Sequence, residues 1–384
     1  MSRYVYLFAA GHLSVDWCQG AIPALLPYFI SEYHLSYQEA AWLVFAYVLS
    51  ASVIQPIIGW LSDKVSRPWF IPMGPVLVGL SVISIAFSTS YAMLFASALV
   101  SGVGVAIYHP EAALMINRIA RNEKGRAMGT FSVGGNAGFA VGPVVAGLCA
   151  YAWGMEYLAL FGALNLALAL FIYSFMGKVE RLAEREKGKA ALAGETKEGK
   201  NQWKPFGFLS VAILVRSMGF SLCNAFIPLY WIHVFGGEES EGAAALSVLF
   251  LMGAFMTYSG GLLADRFGMV RIVRAAFLLM IPVMFLFTHV GSSLAAWFLL
   301  LPMAISVFMP YSPIVVLGQT YLARNVGFAS GVTLGLNTTL GGITTPIVGW
   351  AADQWGLQVA LQILWIAAVA GLLAAMMLPG KKNR

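Results

Sequence analysis

The sequence predicts an all-α membrane protein in which twelve transmembrane helices form two six-helix bundles related by a pseudo-twofold axis. The 384-residue chain is 59% hydrophobic and only 10% charged, whereas soluble domains contain about 25% charged residues. Twelve apolar stretches reach the roughly 20 residues that a helix needs to cross a bilayer. The two halves of the chain also repeat one another at an offset of about 203 residues.

The predicted helices account for nearly the whole chain and leave no soluble domain. Helix 1 contains His12 and Asp16 and lacks a small-residue cleavage site, so we expect it to be retained and not removed as a signal peptide. Pro110 and Pro313 should kink helices 4 and 10, because proline removes a backbone donor. In order, the predicted helices cover residues 5–30, 38–62, 69–88, 91–117, 126–150, 155–176, 205–233, 242–264, 270–290, 293–317, 327–350 and 355–378.

The stretch 178–204 interrupts this pattern with eight Lys or Arg and five Glu. We interpret it as a cytoplasmic linker between an N-terminal bundle, residues 1–177, and a C-terminal bundle, residues 205–384. A solvated tether is the preferred structure for this linker. A short amphipathic helix on the membrane surface is the alternative.

The basic residues indicate how the chain is oriented in the membrane. Of the 23 Lys and Arg, 22 lie at the termini, in connections that follow even-numbered predicted helices, or in the first five residues of the helices after those connections, and the other connections contain none. Since Lys and Arg concentrate on the cytoplasmic side, we expect both termini and the linker to be cytoplasmic. The net charge of +6 therefore reports topology and not nucleic-acid binding, and anionic lipids are candidate partners.

Short motifs recur in the same order in both halves. Residues 59–64 (GWLSDK) return as 261–266 (GLLADR) at an offset of 202, each at the cytoplasmic end of the second helix of its half. Residues 108–110 (YHP) return as 311–313 (YSP) at an offset of 203. Because each half has six helices, the repeats are parallel and related by an axis along the membrane normal.

Two parallel six-helix halves, each with Gly-x-Leu-x-Asp-Lys/Arg after its second helix, resemble the major facilitator superfamily over the whole chain. Longer segments resemble its fosmidomycin-resistance branch: His12-x-x-x-Asp16 in a first helix that ends with 23–27 (PALLP), 102–111 (GVGVAIYHPE), and KGRAMG and GGNAG within 124–138. The resemblance implies the major facilitator fold, a bacterial inner-membrane location and proton-driven drug efflux.

Two positions depart from the family pattern. Ser66 stands where the first Asp motif usually has Gly, so the first cytoplasmic gate is expected to be looser than the second. Many drug exporters of the superfamily have Arg at the position of Ala98, so proton coupling is not transferred from that motif. We expect the gate to latch the outward-facing state through carboxylates beside helix N-termini and bridging arginines. Its candidate residues are Gly59, Asp63, Arg67, Asp265, Arg266 and Gly268.

Three acidic or titratable side chains in the predicted spans are candidates for proton coupling. A charge in the hydrocarbon costs several kcal/mol unless it is paired, neutralised or hydrated. Helical spacing places Asp16 on one face of helix 1 with His12 and Gln19. His109 and Glu111 lie about 200° apart on helix 4, so we expect them to have different roles. We interpret Asp16, His109 and Glu111 as proton carriers, with a hydrogen-bonded helix contact as the alternative for each.

Arg216 is the one cation in the interior of the predicted spans, away from their ends, and needs an anionic partner. We expect Asp16 or Glu111 to be that partner in the empty state, and a phosphonate or carboxylate of the substrate in the loaded state. A permanent ion pair that only positions helix 7 is the alternative. Further candidates for substrate contact are His12, Trp17, Gln19, Tyr108, Asn136, Asn224, Tyr311 and Asn337.

These observations favour a secondary transporter and not an enzyme. The leading hypothesis is proton-coupled efflux, that is drug:proton antiport, of a small organic compound, with an anionic compound such as fosmidomycin as an example. Proton-driven uptake of a small metabolite, or of a soft metal ion bound by helically spaced methionines, is the alternative. A membrane sensor is the non-transport alternative. We expect no cofactor, no resident metal, no nucleic-acid partner and a monomeric chain.

Overall fold

The computed structural model describes residues 2–35, 37–65, 68–120, 123–192, 199–237 and 239–380, and these ranges are almost entirely helical. Within them, nine helices are long and apolar enough to cross a membrane, accompanied by the shorter apolar helices Phe70–Ala86 and Val326–Leu336. No β-strand occurs in the described ranges, which confirms the all-α prediction. The α-helices are α1 (Tyr4–Tyr33), α2 (Tyr37–Lys64), α3 (Phe70–Ala86), α4 (Tyr91–Ile119), α5 (Lys124–Leu148), α6 (Leu158–Leu192), α7 (Trp203–His233), α8 (Glu239–Phe267), α9 (Met269–His289), α10 (Ser293–Phe308), α11 (Tyr311–Tyr321), α12 (Val326–Trp355), α13 (Leu357–Ala360) and α14 (Ile363–Met376).

The helices pack into two compact units. The first contains Met1–Gly199 and Ala323–Gly335, and the second contains Lys200–Leu322 and Leu336–Arg384, so α12 begins in the first unit. In the first unit α1 packs along α5, while α4 packs on α2 and α3. In the second unit α14 packs against α7 and α9, and α8 packs against α7 and α10. Helices α1 and α4 thus lie in the interior of the first unit.

Helix α6 is longer than predicted, since it continues from the expected end at residue 176 to Leu192. The solvated tether is therefore wrong for the first part of the predicted linker, which is helical. The physical reason is an apolar stripe at helical spacing that runs past residue 176 and is buried. Its members are Ile172, Met176, Val179 and Ala183. Residues 193–198 lie outside the described ranges.

The predicted single helix 293–317 is two helices, α10 and α11, separated by a turn at Met309 and Pro310. The interruption begins at Met309, four residues before Pro313, whose missing N–H leaves the Met309 carbonyl without its intrahelical donor. The kink expected from Pro313 is therefore present as a full turn, and Pro310 lies in that turn. Pro110 lies inside the continuous helix α4.

Glycines on α5 allow its backbone to touch the backbone of α1. A Cβ at Gly134 would overlap the carbonyl of Ala9, and a Cβ at Gly138 would lie 2.7 Å from the carbonyl oxygen of Leu13. Small residues permit such close approach between helices in a membrane. This contact sets the position of α1 along the axis of α5, and it thereby sets the positions of His12 and Asp16.

Gly134→Ala should destabilise the first unit by about 1–3 kcal/mol, because the added methyl meets backbone that has to move. We expect a lower thermal unfolding midpoint in detergent and reduced transport. Gly147→Ala, in the same helix, is the matched control, since its Cβ meets nothing within 4 Å. Equal midpoints for both variants would contradict this packing argument.

Candidate functional site

The first unit contains a cluster of titratable side chains from α1 and α4. His12 and Asp16 lie one turn apart on α1, with His12 Nε2 3.0 Å from Asp16 Oδ2. His109 of α4 places its Nε2 3.2 Å from Asp16 Oδ1. The ring centroids of the two histidines are 4.7 Å apart. The structure thus joins two predicted proton carriers, Asp16 and His109, to His12, which the sequence suggested for substrate contact.

Burial removes this cluster from bulk water. His12, Asp16 and His109 are 3%, 4% and 5% exposed. Helix α5 closes one side: the ring of Phe131 stacks on His12 at 4.1 Å, and a Cβ at Gly135 would lie 2.8 Å from Asp16 Oδ2. A buried carboxylate needs charge-assisted partners, and the two histidines supply them.

The hydrogen bonds of His12 specify how many protons the cluster holds. Nδ1 of His12 lies 2.7 Å from the carbonyl oxygen of Phe131, and a carbonyl only accepts, so Nδ1 carries a proton. The contact between Nε2 and the carboxylate then needs a second proton, on His12 or on Asp16. The pair is therefore an imidazolium beside a carboxylate or a neutral imidazole beside a carboxylic acid. Either form holds one exchangeable proton.

The same three residues also have the composition of a metal site, which the sequence spacing did not suggest. Their ligand atoms lie within 4.8 Å of one another. Both carboxylate oxygens nevertheless face proton donors, since Oδ2 contacts His12 and Oδ1 accepts from the amide of Gln19 at 3.1 Å. We therefore interpret the cluster as a proton site.

Glu111 and Tyr108 are two further candidates on α4. Glu111 is fully buried and, as its spacing predicted, lies on a different side of α4 from His109. Tyr108 is also fully buried and donates a hydrogen bond to the carbonyl of Phe8. Its ring packs against Gly74, where an added Cβ would lie 2.6 Å from the Tyr108 Cβ. The position of Tyr108 suits packing between α1, α3 and α4.

Asn165 of α6 is a site neighbour that the sequence reasoning missed. It is 4% exposed and donates to the carbonyl of Ser14 at 2.8 Å. Its Oδ1 accepts from the indole nitrogen of Trp17 at 3.3 Å. This side chain therefore fastens α1 to α6 on both sides of Asp16. The signal was available, because an asparagine inside an apolar span is costly unless it is hydrogen-bonded.

Arg216 forms a separate cationic site in the second unit. The residue is 3% exposed, and its Nε donates to the carbonyl of Val307 at 2.9 Å. The guanidinium carbon lies 4.5 Å from the ring centroid of Tyr311 and 5.7 Å from that of Phe220. Cation–π contacts of this kind hold a guanidinium in place. The structure thus brings together two residues that the sequence suggested for substrate contact, Arg216 and Tyr311.

The remaining substrate candidates are more dispersed. Asn224 is exposed, and Gln19 and Asn136 are half-buried. The side chain of Asn337 lies outside the described part of the structure.

The first gate motif contacts the start of α12. Asp63 accepts hydrogen bonds from the backbone N–H groups of Gly327, at 2.7 Å to Oδ1, and Phe328, at 2.8 Å to Oδ2. Gly59 lies one turn earlier on α2, where a Cβ would overlap the carbonyl of Gly327. A carboxylate at a helix N-terminus satisfies orphan donors and the helix dipole. The position beside a helix N-terminus is the one that the sequence suggested for Asp63.

The other gate candidates differ from this arrangement. Asp265, Arg266 and Gly268 are exposed at the end of α8, and Gly268 has a φ of +100°, which suits the turn into α9. Arg67 lies outside the described residues.

Asp63→Asn should weaken the contact between α2 and α12 by about 1–2 kcal/mol, because an amide offers one acceptor to two N–H groups and no charge to the helix dipole. We expect a thermal midpoint a few degrees lower and a slower transport cycle. Asp353→Asn, at an exposed carboxylate near the end of α12, is the control. Unchanged stability and turnover in Asp63→Asn would contradict a role for this contact.

A model of the Major Facilitator Superfamily matches residues 8–343, so the chain belongs to this superfamily of membrane transporters. The fold agrees with solved members. The chain superposes on the MFS transporter FucP in an outward conformation with a TM-score of 0.74 at 15% identity, covering 97% of this chain and 98% of FucP. It superposes on the proton:xylose symporter XylE with a TM-score of 0.75 at 16% identity, covering 98% and 96%. These similarities confirm the predicted major facilitator fold.

Curated relatives match over nearly the full length. The uncharacterized MFS-type transporter YfnC of Bacillus subtilis is 27% identical over 378 residues, covering 97% of this chain and 92% of YfnC. The fosmidomycin resistance protein of Escherichia coli is 24% identical over 379 residues with the same coverage. Multidrug resistance protein 1 of Bacillus subtilis is 26% identical over 370 residues, covering 91% and 92%. The protein is a multi-pass membrane transporter.

Proposed function

We propose that this transporter is a proton-coupled antiporter that exports a small organic compound, with an anionic compound such as fosmidomycin as the leading candidate, by alternating access across a bacterial inner membrane. The observation that carries the proposal is the buried contact of 3.0 Å between His12 Nε2 and Asp16 Oδ2, which calls for one exchangeable proton. The full-length similarity to resistance proteins of two bacteria supports the outward direction. The distribution of Lys and Arg supports cytoplasmic termini.

Proton release from the cluster would change its packing. When the proton leaves, the N–H or O–H bond breaks, and the proton passes to water on one side of the membrane. His12 Nε2 then presents a lone pair to a carboxylate oxygen 3.0 Å away, which is repulsive in a buried site. Because the His12 ring is bonded to the carbonyl of Phe131 and stacks on the Phe131 ring, a movement of His12 away from Asp16 also acts on α5. Proton loading is therefore expected to favour one arrangement of the first unit and proton release another.

Arg216 supplies the second requirement, recognition of an anionic substrate. A guanidinium remains charged across physiological pH and binds two oxygens of a carboxylate or phosphonate with matched geometry. Tyr311 and Phe220 hold the guanidinium plane, so little rotamer entropy is lost when an anion binds. In an antiport cycle, substrate binding at Arg216 and proton binding at the His12–Asp16 pair would occur at different stages, so that one replaces the other.

The direct test is efflux of fosmidomycin and a small panel of unrelated drugs from cells that express the protein, with and without a protonophore. Export of an anionic compound that stops on protonophore addition is the expected result. Proton-linked accumulation of a metabolite, with no export of any panel compound, would favour uptake instead. Uptake is the second candidate because the fucose:proton symporter FucP and the proton:xylose symporter XylE have the same fold, and a proton site of this kind could serve transport in either direction.

A further inference from the structure

Gln55 of α2 lies between the proton site and the beginning of α12. It is 3% exposed, and its Nε2 is 3.4 Å from Nδ1 of His109. Its Oε1 is buried and has no hydrogen-bond partner among the residues that the structure describes. A buried amide oxygen without a partner is costly. This side chain therefore calls for an explanation beyond packing.

The other side of Gln55 is packed against α12. A Cβ at Gly331 would overlap the backbone carbonyl of Gln55. A Cβ at Gly335 would lie 3.6 Å from both Cβ and Oε1 of Gln55, and 3.2 Å from the carbonyl oxygen of Ser52. The segment of α12 that Asp63 caps is thus the segment that Gln55 touches. Gln55 therefore contacts both the proton site, through His109, and α12.

Within the part of the chain that the structure describes, few other charged or titratable groups surround His109. Asp16 and His12 face it from α1, and the phenol of Tyr47 on α2 lies within electrostatic range of Asp16. On its own helix, the Tyr108 ring is 6.1 Å away and Glu111 is on another side. From α2, Gln55 is the group at Nδ1. The hydrogen bonding of the Gln55 amide therefore depends on whether Nδ1 of His109 carries a proton.

The two ends of an amide match the two protonation states of an imidazole. In the observed orientation the Nε2 of Gln55 donates to a bare Nδ1, so His109 is neutral and carries its proton on Nε2, towards Asp16. A proton added at Nδ1 would face the amide N–H groups and be repelled. Rotation of the amide by half a turn brings Oε1 to Nδ1 and its NH₂ group to the side of Gly335. The proton on Nδ1 of the imidazolium is then donated to Oε1 of Gln55.

We propose that Gln55 is a positioning residue of the proton site, whose amide turns when His109 takes a proton and so passes the protonation state to α12. This inference rests on the proposed proton coupling. It adds His109 as a second proton-accepting residue, and it adds a physical connection from His109 through Gln55 to α12. In this step an N–H bond forms at His109 Nδ1 as an O–H bond of a hydronium ion breaks, and the residue gains one positive charge. The hydrogen bond from Gln55 Nε2 to Nδ1 is replaced by one from Nδ1–H to Gln55 Oε1.

Gln55→Glu and Gln55→Met test the proposal, because they should shift the pH profile of transport in opposite directions. The isosteric carboxylate accepts from Nδ1–H and favours imidazolium, so the midpoint of the profile should rise by about one pH unit or more. Methionine offers no acceptor, so the protonated form loses its partner and the midpoint should fall by about half a unit to one unit. The readout is substrate flux in proteoliposomes from pH 5 to 9. The control is Ser50→Ala, at a buried serine of α2 whose hydroxyl donates to the carbonyls of Ala46 and Tyr47 on the same helix, and it should keep the wild-type midpoint.

Gly335→Ala tests the path to α12. The added methyl lies 3.6 Å from the position that the amide NH₂ group reaches after the turn, and it presents an apolar atom to that group. This variant should therefore also lower the midpoint, and it should have no further effect in a Gln55→Met background. Equal midpoints for Gln55→Glu, Gln55→Met and wild type would overturn the proposal, as would a shift of both variants in one direction. Failure of proton coupling itself is distinguishable, because wild-type flux would then show no dependence on a pH gradient at all.

Discussion

Asp16→Asn should abolish proton-driven transport and leave the protein folded. Asparagine cannot take up a proton, and it removes the anion that stabilises a buried imidazolium at His12, so the exchangeable proton between residues 12 and 16 is lost. Its amide nitrogen can still donate to His12 Nε2, which keeps the contact and the packing of α1 on α5. We expect flux driven by a pH gradient to fall to the level of empty vesicles. Exchange of labelled for unlabelled substrate, which needs no net proton movement, should persist.

Asp353→Asn is the matched control for this variant, since it removes an exposed carboxylate outside the cluster. It should retain full proton-driven flux. Elution of both variants as monodisperse peaks with similar thermal midpoints would exclude misfolding. If Asp16→Asn transports as well as wild type down a pH gradient, the proton site has been assigned to the wrong residues.

Arg216→Lys should raise KM for an anionic substrate by about 10- to 100-fold, because lysine keeps the charge but loses one of two charge-assisted hydrogen bonds, worth roughly 1.5–3 kcal/mol. It also loses the planar stacking on Tyr311. The maximal rate should change less than KM. Transport of a neutral compound should be nearly unaffected, which separates anion recognition from a general structural defect.

Arg271→Lys makes the same chemical change at an exposed position of α9 and should leave KM unaltered. Equal loss of anionic and neutral transport in Arg216→Lys would instead support the alternative that Arg216 only positions α7. In that alternative, the hydrogen bond from Arg216 Nε to the carbonyl of Val307 would be the contact that positions α7 against α10.

The fold was predictable because lipid imposes simple rules on sequence. Spans must be about 20 apolar residues long, and most predicted helices match observed ones within a few residues, as for α4, Tyr91–Ile119 against 91–117. Two observed helix ends differ from the prediction, and at both of them hydropathy does not indicate where the helix stops. The buried stripe through Val179 and Ala183 extends α6 among charged residues, and the interruption at Pro310 lies inside a continuous apolar run. Both depend on tertiary packing.

The site was predictable in its parts and not in its assembly. Asp16, His109 and Arg216 stood out because ionisable residues in apolar spans are rare. Helical spacing also separated His109 from Glu111. The meeting of His109 with Asp16 depends on how α1 and α4 pack through glycines of α5, such as Gly135, and sequence separation gives no such distance. Gln55 and Asn165 were missed because uncharged amides are weaker signals than charges.

The central claim, that substrate and proton move in opposite directions through this protein, is tested most directly by recording both fluxes in the same proteoliposomes. Vesicles with equal pH on both sides would be given an outward gradient of fosmidomycin, with a pH-sensitive dye inside and the membrane potential clamped. We expect the interior to acidify as fosmidomycin leaves, and the acidification to be absent in Asp16→Asn. Fosmidomycin efflux without any pH change, or with alkalinisation of the interior, would contradict antiport.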